Sequence, residues 1–125
     1  MREIKFKALT NSGLEIEGYY AYDEHLELHY INTGKGVMLE IDRSTLRQYT
    51  GLKDMNGKEI YEGDIIKRMN DSTSSMWKVE FEYAQWKFKP IGEWISYPYA
   101  YSNAIYMEVI GNIYENPELL KEEEQ

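Results

Sequence analysis

Two histidines and a glutamate alternate along one short stretch of the chain, at His25, Glu27 and His29. If this stretch is a β-strand, the three side chains share one face, with neighbouring Cα atoms about 6.7 Å apart, and they could bind a metal ion. Leu26 and Leu28 alternate with them and would form the side that faces the core. The order of the residues also differs from the helical HExxH zinc motif. We therefore favour an exposed polar face on an amphipathic strand, and we predict neither a metal nor a cofactor.

The sequence contains no other arrangement that is typical of a catalytic site. It has no cysteine, which excludes disulfides, thiolate metal ligands and Cys-His catalysis. It has neither a GxSxG nucleophile elbow nor a GxxxxGK[ST] phosphate loop. Carboxylates occur in pairs, such as Glu15 with Glu17 and Asp23 with Glu24, but the pattern places none of these pairs in a cleft. The sequence therefore predicts a protein that is not an enzyme.

Aromatic and basic residues occur together in residues 77–89, a composition found in platforms that bind single-stranded nucleic acid. Strand alternation would place the aromatic rings and the lysines on opposite faces, with Glu80 and Glu82 beside the lysines. We therefore favour a buried aromatic face and an ion-paired polar face. A two-residue turn at Ala84 and Gln85 is predicted to pair Tyr83 with Trp86, Glu82 with Lys87, Phe81 with Phe88 and Glu80 with Lys89.

Three tyrosines alternate at Tyr97, Tyr99 and Tyr101, within a segment that Pro90 and Pro98 interrupt. Residues 91–107 are expected to form a long loop or an irregular edge strand. Tyrosine is enriched at the energetic centres of protein interfaces, so the three side chains are a candidate contact surface, including a surface between copies of this chain. The alternative is a loop that folds back onto the core, and the sequence does not decide between the two.

The composition indicates a globular protein with an acidic surface. The chain has 125 residues, of which 42% are hydrophobic and 14% aromatic, which is sufficient for one ordinary domain with a core. The formal net charge of −8 argues against nucleic acid as the default partner. No apolar run approaches the roughly 18 residues that span a bilayer, and the N-terminus lacks the apolar region of a signal peptide. We therefore expect a cytoplasmic protein that does not associate with a membrane.

Alternation of apolar and polar residues dominates the chain and predicts an all-β, mainly antiparallel fold. Short strands separated by glycine-rich turns cover residues 4–41, and further strands are expected at residues 65–69 and 108–114. No long segment has a helical period, but Asn116 followed by Pro117 predicts a short C-terminal helical turn. Residues 121–125 are expected to be a solvated tail.

A hairpin is predicted around Asn56 and Gly57, within residues 48–66. A two-residue type I′ turn would place two like charges opposite each other, Asp54 and Glu59. A three-residue loop with Gly57 in the left-handed conformation avoids this, and each favourable cross-strand pair contributes roughly 0.2–1 kcal/mol. The predicted pairs are therefore Asp54 with Lys58, Lys53 with Glu59 and Leu52 with Ile60.

Three parts of the chain carry a family resemblance: residues 48–54 with 56–65 (QYTGLKD and NGKEIYEGDI), residues 108–120 (EVIGNIYENPELL) and residues 2–8 (REIKFKA). They resemble, in this order, the central signature, the C-terminal signature and the first strand of the YopX family. The chain departs from the family at Leu9, where members often have an aromatic residue.

The resemblance implies a β-rich protein of bacteriophages and prophages of Gram-positive bacteria, whose biochemical function is not established. It implies a single domain over residues 1–125, with N-terminal strands in residues 1–47 and a small SH3-like barrel or sandwich in residues 48–120. It carries over no catalytic residue. The leading hypothesis is a non-enzymatic protein-binding or assembly module in the cytoplasm of a Gram-positive host, with self-association as one possibility. The alternative is a nucleic-acid-linked accessory protein, either a weak single-strand binder or an acidic mimic of nucleic acid.

Overall fold

The computed structural model describes residues 4–68, 76–83, 85–91 and 106–124. These residues form β-strands and two short 3₁₀ helices, which confirms the predicted all-β, mainly antiparallel fold. The 3₁₀ helices are Arg43–Thr45 and Pro117–Glu124. The strands are β1 Phe6–Leu9, β2 Glu15–Asp23, β3 Leu28–Asn32, β4 Met38–Glu40, β5 Arg47–Lys53, β6 Glu59–Tyr61, β7 Asp64–Arg68, β8 Met76–Glu82, β9 Gln85–Ile91 and β10 Met107–Asn112.

The chain divides into two compact units, Met1–Gly51 and Leu52–Gln125. The boundary falls within β5, a few residues after the boundary predicted between residues 47 and 48. The prediction that residues 1–125 act as a single domain stays a prediction.

In the first unit the strands follow the order β4-β3-β2-β1-β5, and all four neighbouring pairs are antiparallel. Period-two alternation places every second side chain on the core side, because successive residues of a strand point to opposite faces. The centre of this core consists of the buried residues Ala8, Ile31 and Ile41. Phe6, Ile16, Tyr20 and Leu46 pack against it.

In the second unit the end of β5 forms a hairpin with β6, and the other strands form a sheet in the order β10-β7-β8-β9. Among the described residues no strand pair connects β9 to β10, so the sheet is open and the closed SH3-like barrel is not found. Bulky side chains from the hairpin and from the four-stranded sheet form one core. Its buried members are Ile60, Ile66, Trp77, Val79, Phe88 and Met107.

The predicted three-residue loop of the Asn-Gly hairpin is confirmed. The Asp54 N–H donates to the Lys58 carbonyl at 2.7 Å, and the Gly57 N–H donates to the Asp54 carbonyl at 3.0 Å. Gly57 has φ of +81°, the left-handed conformation that the bulged loop requires and that glycine adopts at little cost.

The predicted register of the β8–β9 hairpin is wrong. Glu82 pairs with Gln85, so Gln85 belongs to β9 and not to the turn. Tyr83 follows β8 and lies in the turn in a left-handed conformation, with φ of +52°. The observed register brings Val79 opposite Phe88, and both side chains are buried. It also brings Phe81 opposite Trp86, and both of these side chains are partly exposed.

The predicted C-terminal helical turn is confirmed and begins at Pro117, but it continues to Glu124, into residues 121–125 that were expected to be a tail. Asn116 does not cap it through its side chain, however. The backbone carbonyl of Asn116 accepts the Leu119 N–H at 3.0 Å, while the side-chain oxygen accepts the Asn112 N–H at 3.1 Å. In the described part of the chain, no helix has both the length and the apolar character needed to cross a membrane.

Candidate functional site

The predicted row of His25, Glu27 and His29 is not on one strand face. β2 ends at Asp23 and β3 begins at Leu28, so His25 and Glu27 lie in the connecting turn and only His29 lies on a strand. Glu27 has φ of +54°, which breaks the alternation that the prediction assumed. The strand interpretation of residues 25–29 is therefore wrong. Within the described ranges, no group of three potential ligands could hold a metal ion.

His29 takes part in an aromatic cluster. Its Nδ1 lies 2.5 Å from the Tyr20 hydroxyl in a hydrogen bond, and the two rings stack with centroids 5.8 Å apart. The Tyr22 ring lies 4.7 Å from the imidazole, and the Arg43 guanidinium lies 6.0 Å from the Tyr20 ring. Tyr20 packs against the core of the first unit, so His29 has a structural role here.

The lysines of the β8–β9 hairpin are neutralised by glutamates on the same face. Glu80 lies 2.7 Å from the Lys78 amine and 3.3 Å from the Lys89 amine. Glu82 lies 3.6 Å from the Lys87 amine and forms a short hydrogen bond with Lys89. The predicted pairs Glu80–Lys89 and Glu82–Lys87 are therefore present, although they lie diagonally across the hairpin because the register differs.

This network shifts the ionisation of its members. Burial opposes ionisation of Glu80, but the hydrogen bonds and charges of Lys78 and Lys89 outweigh it and lower the pKa of the carboxyl. The hydrogen bond from Lys89 is the main reason that the pKa of Glu82 is lowered. The same bond, together with the bond to Glu80, raises the pKa of Lys89. The lysines of the polar face are thus engaged in ion pairs with glutamates, which does not favour phosphate binding there.

The opposite face of this hairpin is aromatic and only partly buried. Trp77 and Phe88 are buried as predicted. Phe81 is 48% exposed and contacts Trp86 with ring centroids 4.8 Å apart, and Tyr83 is 85% exposed. The prediction of a buried aromatic face is therefore right for the part near β7 and wrong for the part near the turn.

The predicted contact residues Tyr97, Tyr99 and Tyr101 lie outside the described residues. Their role as an interface stays a prediction.

The polar residues of the central signature bind backbone groups. Asp54 is 6% exposed, and its Oδ1 accepts the N–H groups of Asn56 and Lys58 at 2.8 and 2.9 Å. Its Oδ2 accepts the Val109 N–H at 2.9 Å, which connects the hairpin loop to β10. Asp64 Oδ2 accepts the Tyr61 N–H at 2.7 Å, within the turn between β6 and β7. These carboxylates therefore organise turns, and the expected side-chain pair of Asp54 with Lys58 is replaced by a bond to the Lys58 backbone.

The polar residues of the C-terminal signature also bind backbone groups. Asn112 Oδ1 accepts the N–H groups of Tyr114 and Glu115 at 3.0 and 2.8 Å. Gly111 leaves space for Asn116, because a Cβ atom at this position would lie 2.5 Å from the Asn116 side-chain oxygen. The most recognisable segments of the sequence thus specify the fold.

A surface that the sequence analysis missed lies on the first unit. We call it the β2–β4 outer face. Its apolar and aromatic members are Tyr19, Ala21, Tyr30 and Met38, and the polar residues Asn32 and Glu40 share the face. Cross-strand pairing aligns Tyr19 with Asn32 and Met38, and Ala21 with Tyr30. Tyr19 is 56% exposed and Met38 is 50% exposed, on the side of the sheet opposite the core residue Ile31. The tyrosine-rich run in β2 was the only sign of this surface in the sequence. Which residues of β3 and β4 lie beside these tyrosines is determined by the strand pairing.

A depression of about 430 Å³ borders this face at the end where β2 turns into β3. Asp23 is half-buried, and its Oδ1 accepts the N–H groups of His25 and Leu26 at 2.9 and 3.1 Å. Glu24 is exposed and has no ion pair with any described residue. The depression therefore combines apolar walls with two carboxylates. Its lining includes Ala21, Asp23, Glu24, His25, Tyr30 and Met38.

Comparison with known proteins agrees with the signatures. The model of the family described as YopX protein matches residues 3–121, nearly the whole chain. No curated protein matches the chain. A solved structure, described as the crystal structure of protein EF1440 from Enterococcus faecalis, is similar, with a TM-score of 0.64 and 27% sequence identity. The similarity covers 96% of this chain and 99% of that one. This chain belongs to the YopX protein family.

Proposed function

We propose that this member of the YopX protein family is a non-enzymatic protein-binding module of phage or prophage origin, acting in the cytoplasm of a Gram-positive host. The observation that carries the proposal is the β2–β4 outer face. Tyrosine and methionine side chains there occupy regular strand positions and expose large apolar surfaces instead of facing the core. Asn32 and Glu40 lie among these side chains, so the face combines apolar with polar groups, and tyrosine and methionine are enriched at protein interfaces.

The placement of the perturbed ionisable groups supports a binding role over catalysis. Active sites usually gather groups with shifted pKa values in a cleft. Here Glu80, Glu82 and Lys89, whose pKa values are shifted, lie in the ion-pair network of β8 and β9, and Asp42 lies in a surface turn, where hydrogen bonds from Ser44 lower the pKa of the carboxyl. None of them lines the depression.

The nucleic-acid alternative receives less support. The lysines at Lys78, Lys87 and Lys89 each lie within 4 Å of a glutamate oxygen, so a phosphate would have to displace an existing ion pair. A gel-shift assay with labelled single-stranded DNA at low salt tests this branch. We expect no shift.

Capture from a lysate of a lysogenic Gram-positive host tests the proposed function. The bait is the full chain with a tag, compared with a Tyr19→Ser, Met38→Ser double variant. A second double variant, Leu14→Ser with Tyr83→Ser, is the matched control, because it removes exposed apolar side chains elsewhere. Retention of one protein by the native chain and the control, but not by the outer-face variant, supports the proposal.

Equal retention by both double variants contradicts the outer face as the contact surface. Light scattering on the native chain and the outer-face variant distinguishes a second copy from a foreign partner. If the native chain is a dimer or larger assembly and the variant is a monomer, the face binds another copy of this chain. Circular dichroism of each variant checks whether the fold is retained.

A further inference from the structure

We propose that the partner that binds the β2–β4 outer face presents a basic segment, with a lysine or arginine side chain lying in the depression beside Asp23 and Glu24. This inference rests on the proposed function and adds the chemical class of the partner. It is carried by the apolar face together with the charge beside it.

The carboxylates at the depression differ from the glutamates of β2 and β8. Glu15 lies 3.2 Å from Arg47, and Glu17 lies 3.1 Å from Lys5. The glutamates of β8 are likewise paired with lysines. In contrast, Glu24 in the following turn has no cationic partner among the described residues. Glu40 lies opposite Tyr30 on the outer face and likewise has no cationic partner among the described residues, although its carboxylate accepts the Asn11 amide at 3.3 Å. These charges are therefore accessible to an external cation.

The charge of Asp23 is only partly engaged. Its Oδ1 accepts two backbone N–H groups, which fix the carboxylate in place at the end of β2. No described group bonds to its Oδ2. A fixed carboxylate binds an incoming cation at a smaller entropic cost than a mobile one, because its side chain is already ordered.

The walls of the depression suit the rest of a long basic side chain. Lysine and arginine place their hydrocarbon stems along apolar surfaces and keep the charged end in a polar environment. Ala21 and Met38 provide an apolar surface, and Tyr30 provides an aromatic ring, which attracts cations across its face. Methionine adapts to side chains of different shape.

The charge of the whole chain favours the same class of partner. A net charge of −8 attracts a basic segment and repels an acidic one, which accelerates association with the first and disfavours the second. Apolar contacts with Tyr19 and Met38 would then hold the segment on the outer face, next to the depression.

Fluorescence anisotropy with three seven-residue peptides tests the inference on the full chain. The probe alternates arginine with valine, the first control replaces each arginine with the uncharged analogue citrulline, and the second replaces it with glutamate. We expect the arginine peptide to bind, the citrulline peptide to bind at least about tenfold more weakly, and the glutamate peptide not to bind. Equal binding, or equal absence of binding, by all three peptides overturns the inference.

Two charge variants locate the effect. Asp23→Asn with Glu24→Gln removes both charges at the depression and keeps the oxygen that accepts the turn N–H groups. Glu27→Gln with Glu115→Gln is the matched control, because it changes the net charge equally at two other exposed positions. We expect the first variant to weaken binding of the arginine peptide about tenfold and the control to weaken it less than threefold. Equal losses overturn the inference.

The protein captured in the lysate experiment separates failure of this inference from failure of the proposed function. If its affinity falls for the Tyr19→Ser, Met38→Ser variant but not for the Asp23→Asn, Glu24→Gln variant, the face binds a partner and the basic class is wrong. If its affinity falls for neither variant, both the inference and the proposed function are wrong.

Discussion

Replacement of Asp54 with alanine is expected to destabilise the second unit strongly, although the residue lies in a surface hairpin. The carboxylate accepts three backbone N–H groups, from Asn56, Lys58 and Val109. The first two belong to exposed residues, so water can replace the lost bonds. Val109 is half-buried and its N–H would lose its acceptor.

The size of the effect follows from these three bonds. A hydrogen bond to a charged group contributes about 1.5–3 kcal/mol, and a buried donor left without an acceptor costs about 1–3 kcal/mol. With partial compensation by water at the two loop groups, we expect Asp54→Ala to lower the free energy of unfolding by about 3 kcal/mol. Asp54→Asn keeps an oxygen but places an amide near one of the donors, so we expect an intermediate loss.

Urea unfolding followed by tryptophan fluorescence measures this loss, since Trp77 is buried in the core of the second unit. Lys58→Ala is the informative control. If Asp54 acted through an ion pair with the Lys58 side chain, the two alanine variants would cost similar amounts. Because the carboxylate bonds to the Lys58 backbone, we expect Lys58→Ala to cost less than about 0.5 kcal/mol. Equal losses for the two variants would refute the reasoning.

Three further predictions concern other parts of the fold. Because the pKa values of Glu80 and Glu82 are lowered in the folded state, their ion pairs stabilise the protein above the unfolded value of 4.5 and are lost as the pH falls through the lower folded values. Urea unfolding at several pH values below 5 should therefore show a weaker pH dependence for the Glu80→Gln, Glu82→Gln variant than for the native chain. A double-mutant cycle on Phe81 and Trp86 should give a coupling of about 0.5–1.5 kcal/mol, and a coupling near zero would contradict the observed register. Gly111→Ala should lower the midpoint of thermal unfolding by several degrees, since its Cβ would lie 2.5 Å from a side-chain oxygen, and an unchanged midpoint would contradict that packing.

Local chemistry explains which elements were predictable from the sequence. The Asn-Gly hairpin follows from residues within one loop, where turn residues and charges favour a single register. For β8 and β9, the alternation determines which side chains share a face. A shift of the strand pairing by two residues leaves those faces unchanged, so alternation alone does not determine the register. The burial of Val79 opposite Phe88 selects the observed register. The turn at His25 was missed because the alternation of leucines there continues through residues that are not in a strand.

The candidate site could not be predicted for a different reason. Tyr19, Tyr30 and Met38 belong to three strands, and they become neighbours only through cross-strand pairing. Their types also resemble those of core residues, so only the side of the sheet that they occupy distinguishes them. Sequence alternation within one strand does not determine which of its two faces is buried.

NMR of the full chain with ¹³C-labelled methionine methyl groups tests the central claim most directly. Met38 is half-exposed on the outer face, whereas Met76 and Met107 are buried in the second unit and serve as internal controls. When the captured partner is added, we predict that the Met38 signal shifts or broadens in proportion to the bound fraction and that the Met76 and Met107 signals remain unchanged. An unchanged Met38 signal at full occupancy would contradict the assignment of the β2–β4 outer face as the contact surface.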